Sequence, residues 1–224
     1  MQDETISLTT DDNIWLAGTF YPARGDVAVV FAHMGIADQT SWKDFAAQIA
    51  QDGMPTLTFD FRCFEKSECK EGNLAVSHLK DIRTAIGYLQ GRGYQRIVCV
   101  GASMGATSCL NATLRKNLAG LVFIAGDTTV PVDGLSYPEN LINPGMPKLF
   151  IVAEKDRYAP VRTDTPMTYN ISPQPKQLIT YPETVHGTEL FDTGHGSQFW
   201  QHSSIFSLRS INSQNDLRDE HFHS

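Results

Sequence analysis

Apolar and polar positions along this chain follow two periods, and the period changes again and again. Residues 4–9 and 14–21 read as strands joined by a turn at Asp11-Asp12-Asn13. Ile14, Leu16, Gly18 and Phe20 alternate with their neighbours, which predicts a hairpin with one buried face. Residues 27–32 are continuously apolar, the pattern of a parallel strand covered on both sides. Over 41–51 the period becomes helical: Trp42, Phe45, Ala46 and Ile49 share one face, and Gly53 ends the helix. A strand over 55–61 follows, then a helix over 73–90 with Leu79, Ile82, Ile86 and Leu89 facing inward, closed by Gly91 and Gly93. The remaining pattern predicts strands at 96–100, 120–125, 148–153 and 176–181, and helices at 104–116 and 196–208.

Strands alternating with helices predict an α/β fold with a mostly parallel central sheet flanked by helices and the antiparallel hairpin at its edge. Residues 1–208 read as one domain. The segment 209–224 is polar and aperiodic and reads as a poorly ordered tail. Its His221-Phe222-His223 reads as solvated tail rather than a metal site.

Composition narrows the picture. The chain has 224 residues, 41% hydrophobic and 19% charged, and a formal net charge of −7. That balance suits a soluble globular protein, long enough to bury a sizeable core. It argues against nucleic acid as a partner, and no run of Lys or Arg suggests an anionic membrane. No stretch of about 18 apolar residues predicts a membrane span. The start, Met1-Gln2-Asp3-Glu4, is acidic and lacks an apolar signal core, so the default location is cytoplasmic; a mature exported form would read the same way. The cysteines Cys63, Cys69, Cys99 and Cys109 have no zinc spacing. Cys99 reads as a buried thiol in a strand, and a Cys63–Cys69 disulfide stays open. No cluster of His, Asp or Glu has metal-ligand spacing, so no metal and no cofactor are expected. The oligomeric state is left open.

The chemistry concentrates at Gly101-Ala102-Ser103-Met104-Gly105, between a predicted strand and a predicted helix. A serine on so sharp a turn needs small residues two positions away on either side, and Gly101 and Gly105 supply them. The turn lifts the Ser103 hydroxyl above the strand end, where it reads as a nucleophile. The plainer alternative is a glycine-rich turn with an idle serine. A hydroxyl is a weak nucleophile and needs a base. His186, in the loop after the last strand, fits, with His195 as its rival. The base needs an orienting carboxylate. Asp156 lies just past the strand 148–153; Glu154 and Asp127 are alternatives, and Asp156 reads otherwise as a helix cap. Negative charge on a tetrahedral intermediate needs donors. The backbone N–H of Met104 is one, and Gly35 or Met34 in His33-Met34-Gly35 supplies the second. His33 itself reads as a structural residue holding that loop.

Five stretches carry a family resemblance: Phe31-Ala32-His33-Met34-Gly35, Asp60-Phe61-Arg62, the turn Gly101 to Gly105, Ala153-Glu154-Lys155-Asp156, and His186-Gly187. Over roughly 14–206 the chain resembles the α/β-hydrolases, in particular their small lidless, dienelactone-hydrolase-like and carboxylesterase-like members. The order Ser103, Asp156, His186 matches that family's order. The resemblance implies hydrolysis of a small-molecule ester or related acyl bond, without a cofactor. It departs from the family where Met34 follows His33 and where Cys63 follows Asp60-Phe61-Arg62. Dienelactone hydrolases proper use a cysteine nucleophile, so Ser103 does not imply lactone specificity.

The stretch between the strands at 120–125 and 148–153 is short and rich in proline, too short for a separate cap domain. An open site follows, favouring short acyl chains or compact substrates. Met34, Met104, Phe64 and Tyr158 are candidates for its apolar lining. The same site admits thioester or amide hydrolysis or acyl transfer, and a non-catalytic binding module is the alternative from another class.

Overall fold

A computed structural model describes residues 2–70, 74–113, 118–128 and 145–195. Eight strands form one sheet in the order β1-β2-β4-β3-β5-β6-β7-β8. They are β1 (Glu4–Thr9), β2 (Trp15–Tyr21), β3 (Val27–Ala32), β4 (Thr56–Phe59), β5 (Arg96–Ala102), β6 (Gly120–Ile124), β7 (Lys148–Ala153) and β8 (Lys176–Tyr181). The pairings of β1 with β2 and of β2 with β4 are antiparallel, and those from β4 through β8 are parallel. The helices are α1 (Lys43–Gln51), α2 (Leu74–Gly91), α3 (Met104–Thr113) and α4 (Val161–Ile171).

The inner strands are buried on both faces because helices cover both. Every residue of β3, β4, β6 and β7 is buried. On one face Leu79, Ile82, Ile86 and Leu89 of α2 pack with Ala106, Cys109 and Leu110 of α3. On the other, Phe45, Ala46 and Ile49 of α1 pack beside Trp42, which sits in a short 3₁₀ turn, Gln39–Trp42, leading into α1. The hairpin alternation holds less strictly than its sequence predicts. Leu16 and Phe20 are fully buried, but so nearly is Ala17, whose N–H donates to the Ser67 hydroxyl and whose carbonyl Gln39 reaches from the turn before α1.

Two features correct the sequence reading. Cys99 is buried in β5, but not as a free thiol: it forms a disulfide with Cys109. The turn after β5 folds α3 back over the strand and brings the two Cα atoms to 5.7 Å. Cys63 and Cys69 form a second disulfide. The helix α4 lies where the periodicity predicts none, and Asp156 does not cap it: Pro160 is the residue before its first turn. Its sequence is polar and holds Pro166 in its interior, which removes a backbone donor. It stands through its packing on β7, with Val161, Thr165 and Thr168 buried. The predicted helix at 196–208, the tail 209–224, and most of the stretch between β6 and β7 lie outside the described residues.

The sheet order also positions a site. From β3 the chain crosses to β4 on one side; from β5 it crosses to β6 on the other. Adjacent strands whose connections depart in opposite directions leave a crevice at their carboxyl ends, where ligands of open α/β sheets bind. The loop after β3 is His33-Met34-Gly35, and the turn after β5 carries Ser103.

Candidate active site

Ser103 is held in a left-handed backbone conformation, φ +51°, at the junction of β5 and α3. Its backbone N–H donates to the Ile124 carbonyl of the neighbouring strand (2.8 Å), which anchors the turn in the sheet. The two glycines are there for space. A Cβ on Gly101 would strike the Gly105 carbonyl, and a Cβ on Gly105 would strike the carbonyls of Ala32 and His33. The elbow therefore packs directly on the end of β3. Such a conformation for a residue with a side chain costs on the order of 1–3 kcal/mol and persists only where its surroundings enforce it.

Asp156 and His186 meet as buried partners. His186 Nδ1 lies 2.9 Å and 3.0 Å from the two Asp156 carboxylate oxygens. A carboxylate only accepts, so the bond assigns a proton to Nδ1, and the neutral form of such a ring has its lone pair on Nε2. Asp156 Oδ1 also accepts the Tyr158 backbone N–H (2.8 Å). The rivals are engaged elsewhere. His195 Nε2 lies 3.5 Å from Glu183, and its ring packs on Tyr181. Glu154 accepts from Thr180, and Asp127 accepts from the Tyr158 hydroxyl.

His186 is brought to the Ser103 side of the sheet by the residue after it. Gly187 sits so close to the elbow that an added Cβ would lie 3.6 Å from the Cβ of Ala102 and 2.7 Å from Met34 Sδ. Thr188 Oγ1 donates to the same sulfur at 3.6 Å. No hydrogen bond joins Ser103 Oγ to His186 among the described residues. Bonds of this kind are often long in a resting site and tighten in the substrate complex.

The loop after β3 adjoins the residue after Ser103: a Cβ on Gly35 would lie 3.9 Å from Met104 Sδ. His33 shapes this loop. Its ring is buried; Nδ1 donates to the Met34 carbonyl (2.8 Å), and Nε2 accepts the Phe61 N–H (3.0 Å). Both nitrogens are thus committed, and burial holds the pKa below the usual histidine range. With the Met34 carbonyl turned toward His33, the N–H groups of Met34 and Gly35 make no hydrogen bond among the described residues. As the first residue of α3, Met104 carries an N–H that the helix does not satisfy.

The four candidate lining residues come from different parts of the fold. Met34 is buried on the α1 side of the sheet, whereas Phe64 and Met104 pack with the core on the α2 and α3 side. Phe64 lies edge-on to His33, beneath the loop. Tyr158 is half-exposed, its ring edge-on to His186 at 5.6 Å and its hydroxyl on Asp127 (3.0 Å). Sequence reasoning missed Glu189, whose carboxylate accepts the His186 backbone N–H (3.0 Å) and pairs with Arg157. A signal was present: an acidic residue three positions after the residue that opens a helical turn is half of a capping box, here on the 3₁₀ turn Gly187–Asp192. Among the described residues no three His, Cys, Asp or Glu side chains form a metal site, and no helix is long and apolar enough to cross a membrane.

No protein-family model and no curated protein matches the sequence. Solved structures do match in fold. An esterase of Pyrococcus furiosus is 18% identical with a TM-score of 0.73, over 93% of this chain and 92% of that one. An α/β hydrolase from a Penicillium species is 16% identical with a TM-score of 0.78, over 95% and 100%. A serine hydrolase without a lid from Xanthomonas campestris is 16% identical with a TM-score of 0.65, over 83% and 86%. The chain has the α/β-hydrolase fold.

Proposed function

We propose that this protein is a serine hydrolase that cleaves carboxylic esters through an acyl-enzyme on Ser103. The observation that carries the reading is the buried Asp156–His186 pair, on a loop whose Gly187 packs on Ala102, the residue before the strained Ser103. Binding alone would not require an imidazole oriented by a carboxylate on the loop that packs against a serine whose backbone is held in the left-handed region.

In the proposed reaction, His186 Nε2 takes the proton of Ser103 Oγ as that oxygen attacks the ester carbonyl. The negative charge on the former carbonyl oxygen is received by the N–H of Met104 and by that of Gly35 or Met34, with the α3 N-terminus adding its positive end. His186 then gives the proton to the departing alcohol. Water repeats the sequence on the acyl-enzyme and regenerates the free hydroxyl. Asp156 keeps Nε2 unprotonated before attack and offsets the imidazolium that forms. The neighbouring esterase folds favour the ester as substrate, and the short stretch between β6 and β7 favours compact acyl groups.

A fluorophosphonate tests the nucleophile without a choice of substrate. Attack by Ser103 Oγ forms an O–P bond and expels fluoride, so one phosphonyl group is expected on the peptide that contains Ser103, identified by mass. Folded protein that carries no label at Ser103 would defeat the reading and favour a binding module.

A further inference from the structure

The loop bearing His186 is tied to the loop bearing Asp156 by more than the bond between those two side chains. Beyond the ends of β7 and β8, Lys155 N–H donates to the Glu183 carbonyl (3.0 Å) and Arg157 N–H to the Thr184 carbonyl (2.9 Å). The side chain of Glu189 then closes the arrangement. Its Oε2 accepts the His186 backbone N–H (3.0 Å). Its two oxygens receive the Arg157 guanidinium in a fork, one arm at 2.6 Å on Oε1 and the other on Oε2. Asp156, Arg157, Glu189 and His186 thus form a ring in which each member is bonded to the next. The ring fixes where the His186 backbone starts, and so where its imidazole reaches.

The charges of the ring are also ordered. Arg157 stands next to Asp156 in the chain and feels its charge. Unmatched, that guanidinium would compete with His186 for the carboxylate. Glu189 matches it; the pairing holds the Glu189 carboxyl below its usual range, so it is ionised at neutral pH. Forked arginine–carboxylate pairs also fix geometry better than a lysine contact does.

We propose that Glu189 and Arg157 are positioning residues for His186, a clamp that holds the base loop against the acid loop. The proposal rests on the serine-hydrolase reading above. The clamp is half-exposed, and surface ion pairs add little to global stability. Its loss therefore reaches turnover before it reaches the melting temperature.

The test uses the full chain and four variants: Glu189→Ala, Arg157→Ala, the two combined, and Arg157→Lys. With p-nitrophenyl butyrate, each alanine variant is expected to lose about tenfold to a hundredfold in kcat, with KM within about twofold, since small misplacements of a reacting group cost that much. The combined variant is expected to be no worse than the poorer single one, because each substitution opens the same ring. Arg157→Lys, which keeps the charge but not the fork, is expected to recover part of the rate. A second readout needs no turnover. The downfield proton resonance of His186 Nδ1–H, assigned by its absence in His186→Gln, is expected to be present in the parent and lost to faster exchange in Glu189→Ala. An unchanged kcat in folded variants, or losses that multiply in the combined one, would overturn the clamp. So would a downfield proton undisturbed in Glu189→Ala. If the parent itself has no hydrolytic activity, the serine-hydrolase reading fails, and the proton resonance alone decides the clamp.

Discussion

His33 shows how one buried side chain can set the shape of a loop, here the one that carries the proposed Met34 or Gly35 donor. Both ring nitrogens are spent on backbone groups, one in the loop after β3 and one in the segment after β4. His33→Phe keeps the aromatic packing against Phe61 and Phe64 but leaves the Phe61 N–H unpaired, while the Met34 carbonyl keeps only the Ala37 N–H (3.1 Å). The unpaired donor is expected to cost about 1–3 kcal/mol, read by urea unfolding, with a fall in kcat as the Met34-Gly35 loop loosens. The nearby His78 makes a different prediction. It is buried against Phe61 and Phe64, its Nε2 has no hydrogen-bond partner among the described residues, and burial, aided by His33 and Arg62, pushes its pKa down to about 4. The unfolded chain protonates this histidine near pH 6.5, whereas the folded chain resists until about pH 4. Stability is thus full above pH 6.5 and falls as pH drops toward 4, by on the order of 3 kcal/mol for His78. His33 acts in the same direction. Unfolding midpoints measured from pH 7.5 to 4 check this; a flat profile would contradict it.

At the scale of elements, the hairpin, the 60–62 segment and α2 are joined through Arg62. It forks onto Asp81 of α2, at 2.9 and 2.7 Å, and onto Asp12 in the hairpin turn, at 2.9 and 3.1 Å. Asp81 is fully buried, so Arg62→Leu strands an unpaired charge and is expected to cost about 3–5 kcal/mol in denaturant unfolding. Replacing both Arg62 and Asp81 by leucine is expected to recover most of that loss, because no charge is then left buried. The same scale shows what was legible in the sequence. The continuous apolar runs named β3, β6 and β7, and the four inward residues of α2 lie where their period places them. The helix α4 had no periodic signal, because Pro166 and the three threonines Thr163, Thr165 and Thr168 run against the helical pattern that packing on β7 imposes. The Gly101-to-Gly105 spacing announced the elbow, since its glycines answer a contact with the β3 end that only small residues allow. For Glu189 only the contact with the His186 N–H had a local signal, the capping-box spacing; nothing near it in sequence points to Arg157.

The whole molecule brings together residues far apart in the chain. His186 and Asp156 are 30 positions apart, and Thr188 and Met34 are 154 apart. The sequence supplied the order of the candidate residues; sheet order β4-β3-β5-β6 supplied the crevice between them. The Cys99–Cys109 bridge was hidden for a like reason, since two cysteines ten positions apart meet only once the elbow reverses the chain. Both bridges are expected to form in the purified protein, leaving no thiol to alkylate without reductant. By loop-closure entropy each contributes about 2–3 kcal/mol, so reduction is expected to lower the melting temperature by several degrees. Four alkylatable thiols in unreduced protein would contradict this.

The central claim is that Ser103 works as an activated nucleophile. The measurement that tests it most directly is hydrolysis of p-nitrophenyl butyrate by the purified protein and by Ser103→Ala, side by side. The account predicts steady hydrolysis by the parent and a loss on the order of 10⁴–10⁶ in turnover for the variant. Equal rates in both, or no hydrolysis by either, would contradict it.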